Sequence, residues 1–408
     1  MNLIWITPEF PSNSDNIKGI YIYRTVKELA KYYKIYVICL YPSFPPILEM
    51  LRYLKDAKKV YSNWKKNYNI SSNKPVEINN AEIYYLKYYR LPRKFFHHIE
   101  GWFAYFQARK YLTKIIDGQS IIHANWIFPA GTMAKIIAKK YKIPFIISLL
   151  GSDVNRLKEG SIFWKSAKKL LNQTNKVTAV TSDLFEKCKE KRLSIESSKM
   201  ELIDNIYESD KFNIKDRFKI REFLKINNEL KIIFFAGGLV PVKNVDILIK
   251  AVARILNYRS DLNLYIAGSG TDENKLKRLT KELKINSKVF FLGPLLSDEL
   301  VNFYNAANLF SLQSRSEGLP NVIVESFLCG TPVVASSVGG IPSIIKEGIN
   351  GFLVKPNSVD DLTNKIEASL KHLWDRNKIR ESASQYFPGN VIKKYHHLYK
   401  NIADNFVR

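Results

Sequence analysis

The chain has 408 residues, 46% of them hydrophobic, and a formal net charge of +25. Two or three domains with full cores fit this length, and an intrinsically disordered chain is excluded. No run approaches the roughly 20 apolar residues of a membrane-spanning helix, and the excess positive charge asks for an anionic partner: nucleic acid, a membrane surface or a phosphorylated substrate.

Leu3-Ile4-Trp5-Ile6 reads as the first strand. It lacks a basic leader and is cut short by Thr7-Pro8-Glu9, so it does not read as a signal peptide, and a cytoplasmic location is expected. A polar, turn-rich stretch runs to Lys18, and Gly19 precedes a helical pattern from Ile20 to about Tyr32. Ile35 to Leu40 is the second strand. From Phe44 to Leu112 the pattern is less regular. Lys58, Lys59, Lys65 and Lys66 are interleaved there with Tyr61, Trp64 and Tyr68, and further on come Trp102, Phe103, Arg109 and Lys110. Such mixing suits a membrane- or lipid-facing surface. Cys39, Cys188 and Cys329 show no metal-ligand spacing and read as reduced thiols.

Ser120 to Ala124 is a strand, followed by a loop from Asn125 to Gly131. His123, on this apolar strand, is expected to be a satisfied core histidine. Phe145 to Leu150 is the next strand, with Gly151-Ser152-Asp153 at its carboxyl end. Val177 to Val180 is another, capped by Thr181-Ser182. Asp210 to Asn228 is highly charged and reads as a bridge between domains.

The second half opens with the buried strand Lys231 to Ala236, then Gly237-Gly238 and Lys243-Asn244. Val245, Leu248, Val252 and Ile255 form a helical stripe. Leu262 to Ala267 ends at Gly268-Ser269-Gly270, and Val289 to Leu292 at Gly293-Pro294. Leu309 to Leu312 leads into Ser316-Glu317-Gly318-Leu319-Pro320-Asn321-Val322-Ile323-Val324-Glu325. Pro320 is expected in the first turn of a helix that runs to Cys329 and stops at Gly330. Thr331 to Ala335 and Phe352 to Val354 are the last strands, and the chain then reads as helical from about Val359, broken at Pro388-Gly389. Alternating strands and helices, with no internal repeat, specify an α/β protein whose parallel sheets are covered on both faces.

In such a sheet, ligands bind at the carboxyl ends of the strands. Glu317 sits there, and Glu325 lies in the helix that follows. Free N–H groups at the start of that helix favour a phosphate. Ionised carboxylates accept hydrogen bonds from hydroxyls. A phosphate between two hydroxyl-rich groups describes a sugar nucleotide.

The run from Glu317 to Glu325, continued by Phe327 to Ala335 and Val338-Gly339-Gly340-Ile341-Pro342, resembles the Glu-x7-Glu segment of the retaining glycosyltransferases of family 4. The resemblance implies the GT-B fold, two doubly wound Rossmann-like domains facing a cleft. It implies an acceptor-side domain over 1–207, with the C-terminal helix 389–408 packed back on it, and a nucleotide-sugar domain over 208–388. It also implies that Glu325 binds ribose hydroxyls and Glu317 the transferred sugar. Lys243 and the backbone of Gly318, Leu319, Pro320, Asn321 and Val322 would hold the diphosphate. Gly19 matches the family's substrate-facing glycine loop, and Gly293 the edge that holds the base. Gly238 stands where the family has arginine. Asn125 replaces the second histidine of a His-x-His segment, and Leu150 precedes Gly151-x-Asp153 where a basic or imidazole residue is usual; Asn125 and Asp153 are the acceptor-side catalytic candidates. Asn205-Ile206-Tyr207-Glu208 stands for Asn-Gly-Val-Asp.

No Asp-x-Asp segment precedes the site, so neither a divalent cation nor another cofactor is expected beyond the substrate, a UDP- or GDP-sugar. The implied reaction is metal-independent, retaining transfer of a hexosyl-type sugar to a hydroxyl of a glycan or lipid-linked acceptor, in cell-envelope polysaccharide or lipopolysaccharide synthesis. Front-face attack is implied, with the leaving phosphate taking the acceptor's proton. The expected setting is the inner face of the cell membrane, held peripherally by anionic lipid. A sugar-nucleotide epimerase on the same fold and a basic nucleic-acid-binding module are the alternatives. The second lacks a binding motif or a basic base-reading helix.

Overall fold

The computed structural model describes residues 1–11, 19–42, 76–88 and 96–406, together with positions 56, 58 and 62. Lys18, Lys59, Tyr61, Trp64, Lys65, Lys66 and Tyr68 lie outside the described residues. The chain forms two compact units, Met1–Ile206 with Pro388–Arg408, and Tyr207–Phe387. Both are α/β domains built on a largely parallel sheet.

In the first unit the strands are β1 (Asn2–Thr7), β2 (Lys34–Pro42), β3 (Val76–Ile78), β4 (Ala81–Tyr88), β5 (Ile121–Asn125), β6 (Phe145–Leu149), β7 (Lys176–Ala179) and β8 (Met200–Leu202). Between them run α1 (Ile20–Leu29), α2 (Glu100–Ile115), α3 (Thr132–Tyr141), α4 (Ile162–Gln173) and α5 (Ser182–Glu190). The sheet order is β3-β4-β2-β1-β5-β6-β7-β8. Side chains alternate across β1: Leu3 and Trp5 enter one core layer, Ile4 and Ile6 the other. Burial on both faces explains why these strands read as continuous apolar runs. The edge departs from the all-parallel expectation. β3 pairs antiparallel with β4, because the two-residue link Asn79-Asn80 is too short for a crossover, and Asn79 takes the left-handed conformation of a tight turn.

The second unit holds β9 (Lys231–Ala236), α6 (Val245–Leu256), β10 (Leu262–Ala267), α7 (Glu273–Glu282), β11 (Val289–Gly293), α8 (Ser297–Ala306), β12 (Leu309–Leu312), α9 (Asn321–Leu328), β13 (Val333–Ser336), β14 (Gly351–Val354) and α10 (Val359–Lys371). Its six strands are all parallel, in the order β11-β10-β9-β12-β13-β14. The order reverses between β9 and β12, the switch point at which a doubly wound sheet opens a crevice at its carboxyl edge. In the first unit the same reversal falls between β1 and β5.

Two local expectations are corrected. Pro320 is not in the first turn of α9; it is the N-cap, with extended backbone, and its carbonyl accepts the Ile323 N–H at 3.1 Å. The tail is not one helix broken at Pro388-Gly389. α10 ends at Lys371, a short helix covers Arg376–Glu381, and Pro388 opens α11 (Pro388–Phe406) at the position where a missing N–H does no harm. α11 lays Val391, Tyr395, Leu398 and Tyr399 into the core layer of Trp5 and α1, and Lys394 pairs with the buried Asp204 at 2.6 Å. Among the described residues no helix is long and apolar enough to cross a membrane.

Candidate functional site

The loops that follow β9 and β12 meet at the switch point of the second unit. Arg315 N donates to the Val242 carbonyl at 2.8 Å, and Arg315 Nε to Asn244 Oδ1 at 2.7 Å. Asn244 holds a left-handed conformation and donates from Nδ2 to Asn357 Oδ1 at 2.7 Å. Thus three loops are tied at one edge of the sheet. Across this junction the Lys243 ammonium forms an ion pair with Glu317 Oε1. Ser314 Oγ donates to the same oxygen at 2.6 Å. Both donors converge on Oε1, and Oε2 takes no protein hydrogen bond among the described residues.

Glu317 is held from behind by a further loop, the one after β13. A Cβ on Gly339 would overlap the Glu317 carbonyl, so only glycine lets the two backbones approach this closely, and Gly340 N donates to the Gly318 carbonyl at 3.1 Å. Gly318 and Leu319 are partly exposed, and Asn321 and Val322 begin α9. No side chain caps this helix, so its first N–H groups are available to an anion. Asn321 Oδ1 accepts from Tyr207 Oη at 2.8 Å, which anchors the first turn. The helix ends in a Schellman motif, with Gly330 N to Phe327 O at 2.8 Å and Thr331 N to Ser326 O at 3.0 Å.

Glu325, in the second turn of α9, is only 7% exposed and accepts from the fully buried Tyr304 Oη at 3.3 Å. Burial, then the Glu325 carboxylate, pushes the Tyr304 phenol well above its ordinary range. Burial first and Glu325 second also raise the Cys329 thiol to about 12, so this cysteine stays protonated. Gly238 is exposed after β9, and a Cβ there would meet only Val240, at 3.9 Å. Gly293 ends β11, two strands from β9, and its carbonyl accepts from Gly268 N at 2.8 Å. Lys243, Glu317 and the start of α9 are therefore brought together, with Gly238 on the first of their loops, whereas Gly293 lies further along the same edge.

The first unit places its candidates at its own switch point. Gly19 is the N-cap of α1 with φ of 72°, and a Cβ there would stand 2.7 Å from the Glu9 carbonyl group. Asn125 ends β5, is 3% exposed, and its buried Nδ2 has no partner. Asp153 Oδ1 accepts from the N–H groups of Gly151 at 3.0 Å, Val154 at 3.1 Å and Leu150 at 3.3 Å, while its buried Oδ2 is unpartnered. Burial raises the Asp153 carboxyl to about 6 against the lowering effect of those N–H groups. Tyr21 and Trp126 pack edge to face nearby, Tyr21 donates to Glu9 at 3.3 Å, and Trp126 Nε1 to Ser152 Oγ at 3.2 Å.

His123 is fully buried between Tyr399 Oη at 2.7 Å and Ser148 Oγ at 2.6 Å. Desolvation lowers its pKa to about 3, so it is a neutral core residue. Ser314, Asn244 and Tyr207 escaped sequence reasoning as site-shaping residues. Asn244 directly follows Lys243, which was a usable signal; Tyr207 and Ser314 carry none.

Residues 216–386 match the family model described as "Glycosyl transferases group 1", and residues 65–182 the one described as "Glycosyl transferase 4-like". An uncharacterized glycosyltransferase of Methanocaldococcus jannaschii is 28% identical over 277 residues, 66% of this chain and 71% of that protein. The D-inositol 3-phosphate glycosyltransferase of Mycolicibacterium smegmatis is 40% identical over 141 residues, but the match spans only 34% of this chain and 32% of that protein's length. The crystal structure of HepE from Anabaena in complex with UDP has the same fold, with a TM-score of 0.72 at 17% identity, covering 99% of this chain and 100% of that one.

Proposed function

Because this chain belongs to the group 1 glycosyltransferases, the family 4 proteins of GT-B fold, we propose that it transfers a sugar, with retention, from a UDP- or GDP-sugar to a hydroxyl of a glycan or lipid-linked acceptor in cell-envelope polysaccharide or lipopolysaccharide synthesis. The observation that carries this reading is the Lys243–Glu317 pair at the β9/β12 switch point, beside the uncapped start of α9. A diphosphate entering there meets the ammonium and the free N–H groups. It competes with Glu317 for Lys243, and the carboxylate is then available to sugar hydroxyls. Glu325 reads the ribose, and the Gly293 edge the base. The bond from the anomeric carbon to the leaving phosphate breaks as the acceptor oxygen bonds to that carbon. The acceptor's proton passes to the leaving phosphate oxygen.

On the first unit, Asn125 offers an unpartnered donor and Asp153 an unpartnered acceptor. A hydroxyl, which both donates and accepts, satisfies either one. Gly19 lets backbone approach the same edge. Neutralisation of the diphosphate by Lys243 and the helix end takes over the role of a cation, so turnover proceeds without added metal. The enzyme works at the cytoplasmic face of an anionic membrane. A panel of sugar nucleotides, screened by thermal shift and then by turnover in the presence of chelator, tests the proposal. Stabilisation by one nucleoside class, and acceptor-dependent release of its diphosphate, is expected. Isomerisation of the sugar nucleotide without acceptor, or no sugar-nucleotide binding, would overturn it.

A further inference from the structure

The Lys243–Glu317 pair leaves its junction electrically neutral, because the ammonium and the carboxylate cancel. The diphosphate of a sugar nucleotide is dianionic and gains charge when the sugar leaves. A cation to answer that charge has to come from elsewhere on the same edge. Of the loops at the carboxyl ends of these strands, those after β10, β11 and β13 contain no lysine or arginine. Those after β9, β12 and β14 contain one each: Lys243, Arg315 and Lys355. β14 is the edge strand, two places from β12, whereas β12 lies directly beside β9.

Arg315 is fixed to the β9 loop on either side of Lys243. Its backbone N–H donates to the Val242 carbonyl at 2.8 Å, and its Nε to Asn244 Oδ1 at 2.7 Å. Asn244 is itself buried, and its Nδ2 is committed to Asn357 Oδ1 at 2.7 Å, so its Oδ1 is the atom left to face the guanidinium. Arg315 is exposed, and among the described residues its guanidinium forms no ion pair and no hydrogen bond beyond that of Nε. Elsewhere in this unit Arg221, Arg376 and Arg380 place Nη groups on backbone carbonyls, and Arg259 on Asp261. A guanidinium tethered at Nε, with both Nη groups uncommitted, is set to fork onto two phosphate oxygens with part of its rotamer freedom already lost.

We propose that Arg315 is a second diphosphate-binding cation of this site, and that the loop after β12 thereby supplies the net positive charge that the Lys243–Glu317 pair cancels. The proposal rests on the sugar-nucleotide reading above and adds a residue to it. Negative charge builds on the leaving phosphate as its bond to the anomeric carbon breaks. The same contact therefore strengthens in the transition state, and Arg315 acts on turnover as well as on affinity. Asn244 is the positioning residue behind it.

The test uses the full chain and calorimetric titration with inorganic pyrophosphate, UDP and GDP. Arg315→Gln is expected to weaken binding of pyrophosphate, and of the nucleoside diphosphate that the native protein takes, by about tenfold to a hundredfold. It also flattens the fall of that affinity with salt. Arg315→Lys keeps the charge but loses the fork, and recovers about threefold of the loss. With a donor that the protein turns over, Arg315→Gln lowers kcat at least about tenfold and leaves the acceptor KM within about twofold. A residue that only ties two loops together would lower the melting temperature and leave the salt dependence of binding as it was. The control Arg278→Gln, an exposed cation on α7, leaves affinity within about twofold. Unchanged pyrophosphate affinity or salt dependence in Arg315→Gln, equal losses in Arg315→Lys and Arg315→Gln, or an equal loss in the control would overturn the proposal. The transferase reading fails differently. Pyrophosphate bound through Arg315, with neither UDP nor GDP bound and no sugar nucleotide turned over, sinks that reading alone. Nucleoside diphosphate binding and turnover that are indifferent to Arg315 sink this inference alone.

Discussion

Lys243 and Glu317, 74 positions apart, form an ion pair that closes the switch point of the second sheet. The pair joins the loop after β9 to the loop after β12. Its ammonium and carboxylate are the two groups proposed for diphosphate and sugar, and each holds the other in place.

The pair makes a directional prediction. Glu317→Ala lowers turnover at least about tenfold, since a hydrogen bond to a charged group contributes about 1.5–3 kcal/mol. It leaves nucleoside diphosphate affinity equal or tighter, because Lys243 is released. Lys243→Ala weakens that affinity by a comparable factor, and Glu325→Ala also weakens it. Calorimetric titration with the diphosphate, beside initial rates, checks all three. Near-normal turnover of Glu317→Ala, or unchanged affinity in Glu325→Ala, removes the corresponding assignment.

Gly238 stands where the resemblance to the family implies an arginine, and the structure leaves room for one: the position is exposed and a Cβ meets only Val240. Gly238→Arg is therefore expected to tighten nucleoside diphosphate binding by about threefold to tenfold through one charge-assisted contact. A weaker Kd shows instead that a ligand's backbone approach requires glycine here.

Gly339 touches no proposed substrate, yet its replacement should disable the site. At φ of 54° a side chain is strained, and a Cβ would overlap the Glu317 carbonyl. Gly339→Ala is expected to lower stability by about 1–3 kcal/mol and turnover at least about tenfold. Full activity with a normal melting temperature would show that the Glu317 loop tolerates displacement.

His123 sets an acid limit on the first unit. Its folded pKa, about 3, lies below the unfolded value near 6.5. The unfolded chain then binds more protons between these values, so this residue's contribution is complete above about pH 6.5 and is lost as pH falls toward 3. His123→Gln should flatten the slope of stability against pH in that window by about 1 kcal/mol per pH unit. Urea melts of both proteins from pH 7 to pH 4.5 read the difference, and parallel slopes contradict it.

What the sequence determined by itself was local. Apolar runs identified β1, β5, β9 and β12, because burial on both faces removes polar alternation. Gly330 marked the end of α9, and the Glu317 to Glu325 spacing, with its flanking residues, identified the family. His123 was legible as a core histidine because its strand is apolar throughout. These signals act over a few residues. Pro320 shows their limit: its propensity suits a first turn, but the backbone there is pinned by Gly340 N on the Gly318 carbonyl, and the helix begins one residue later. Only the tertiary structure set β9 beside β12, and hence Lys243 beside Glu317, since strand order follows from how helices pack across the whole sheet.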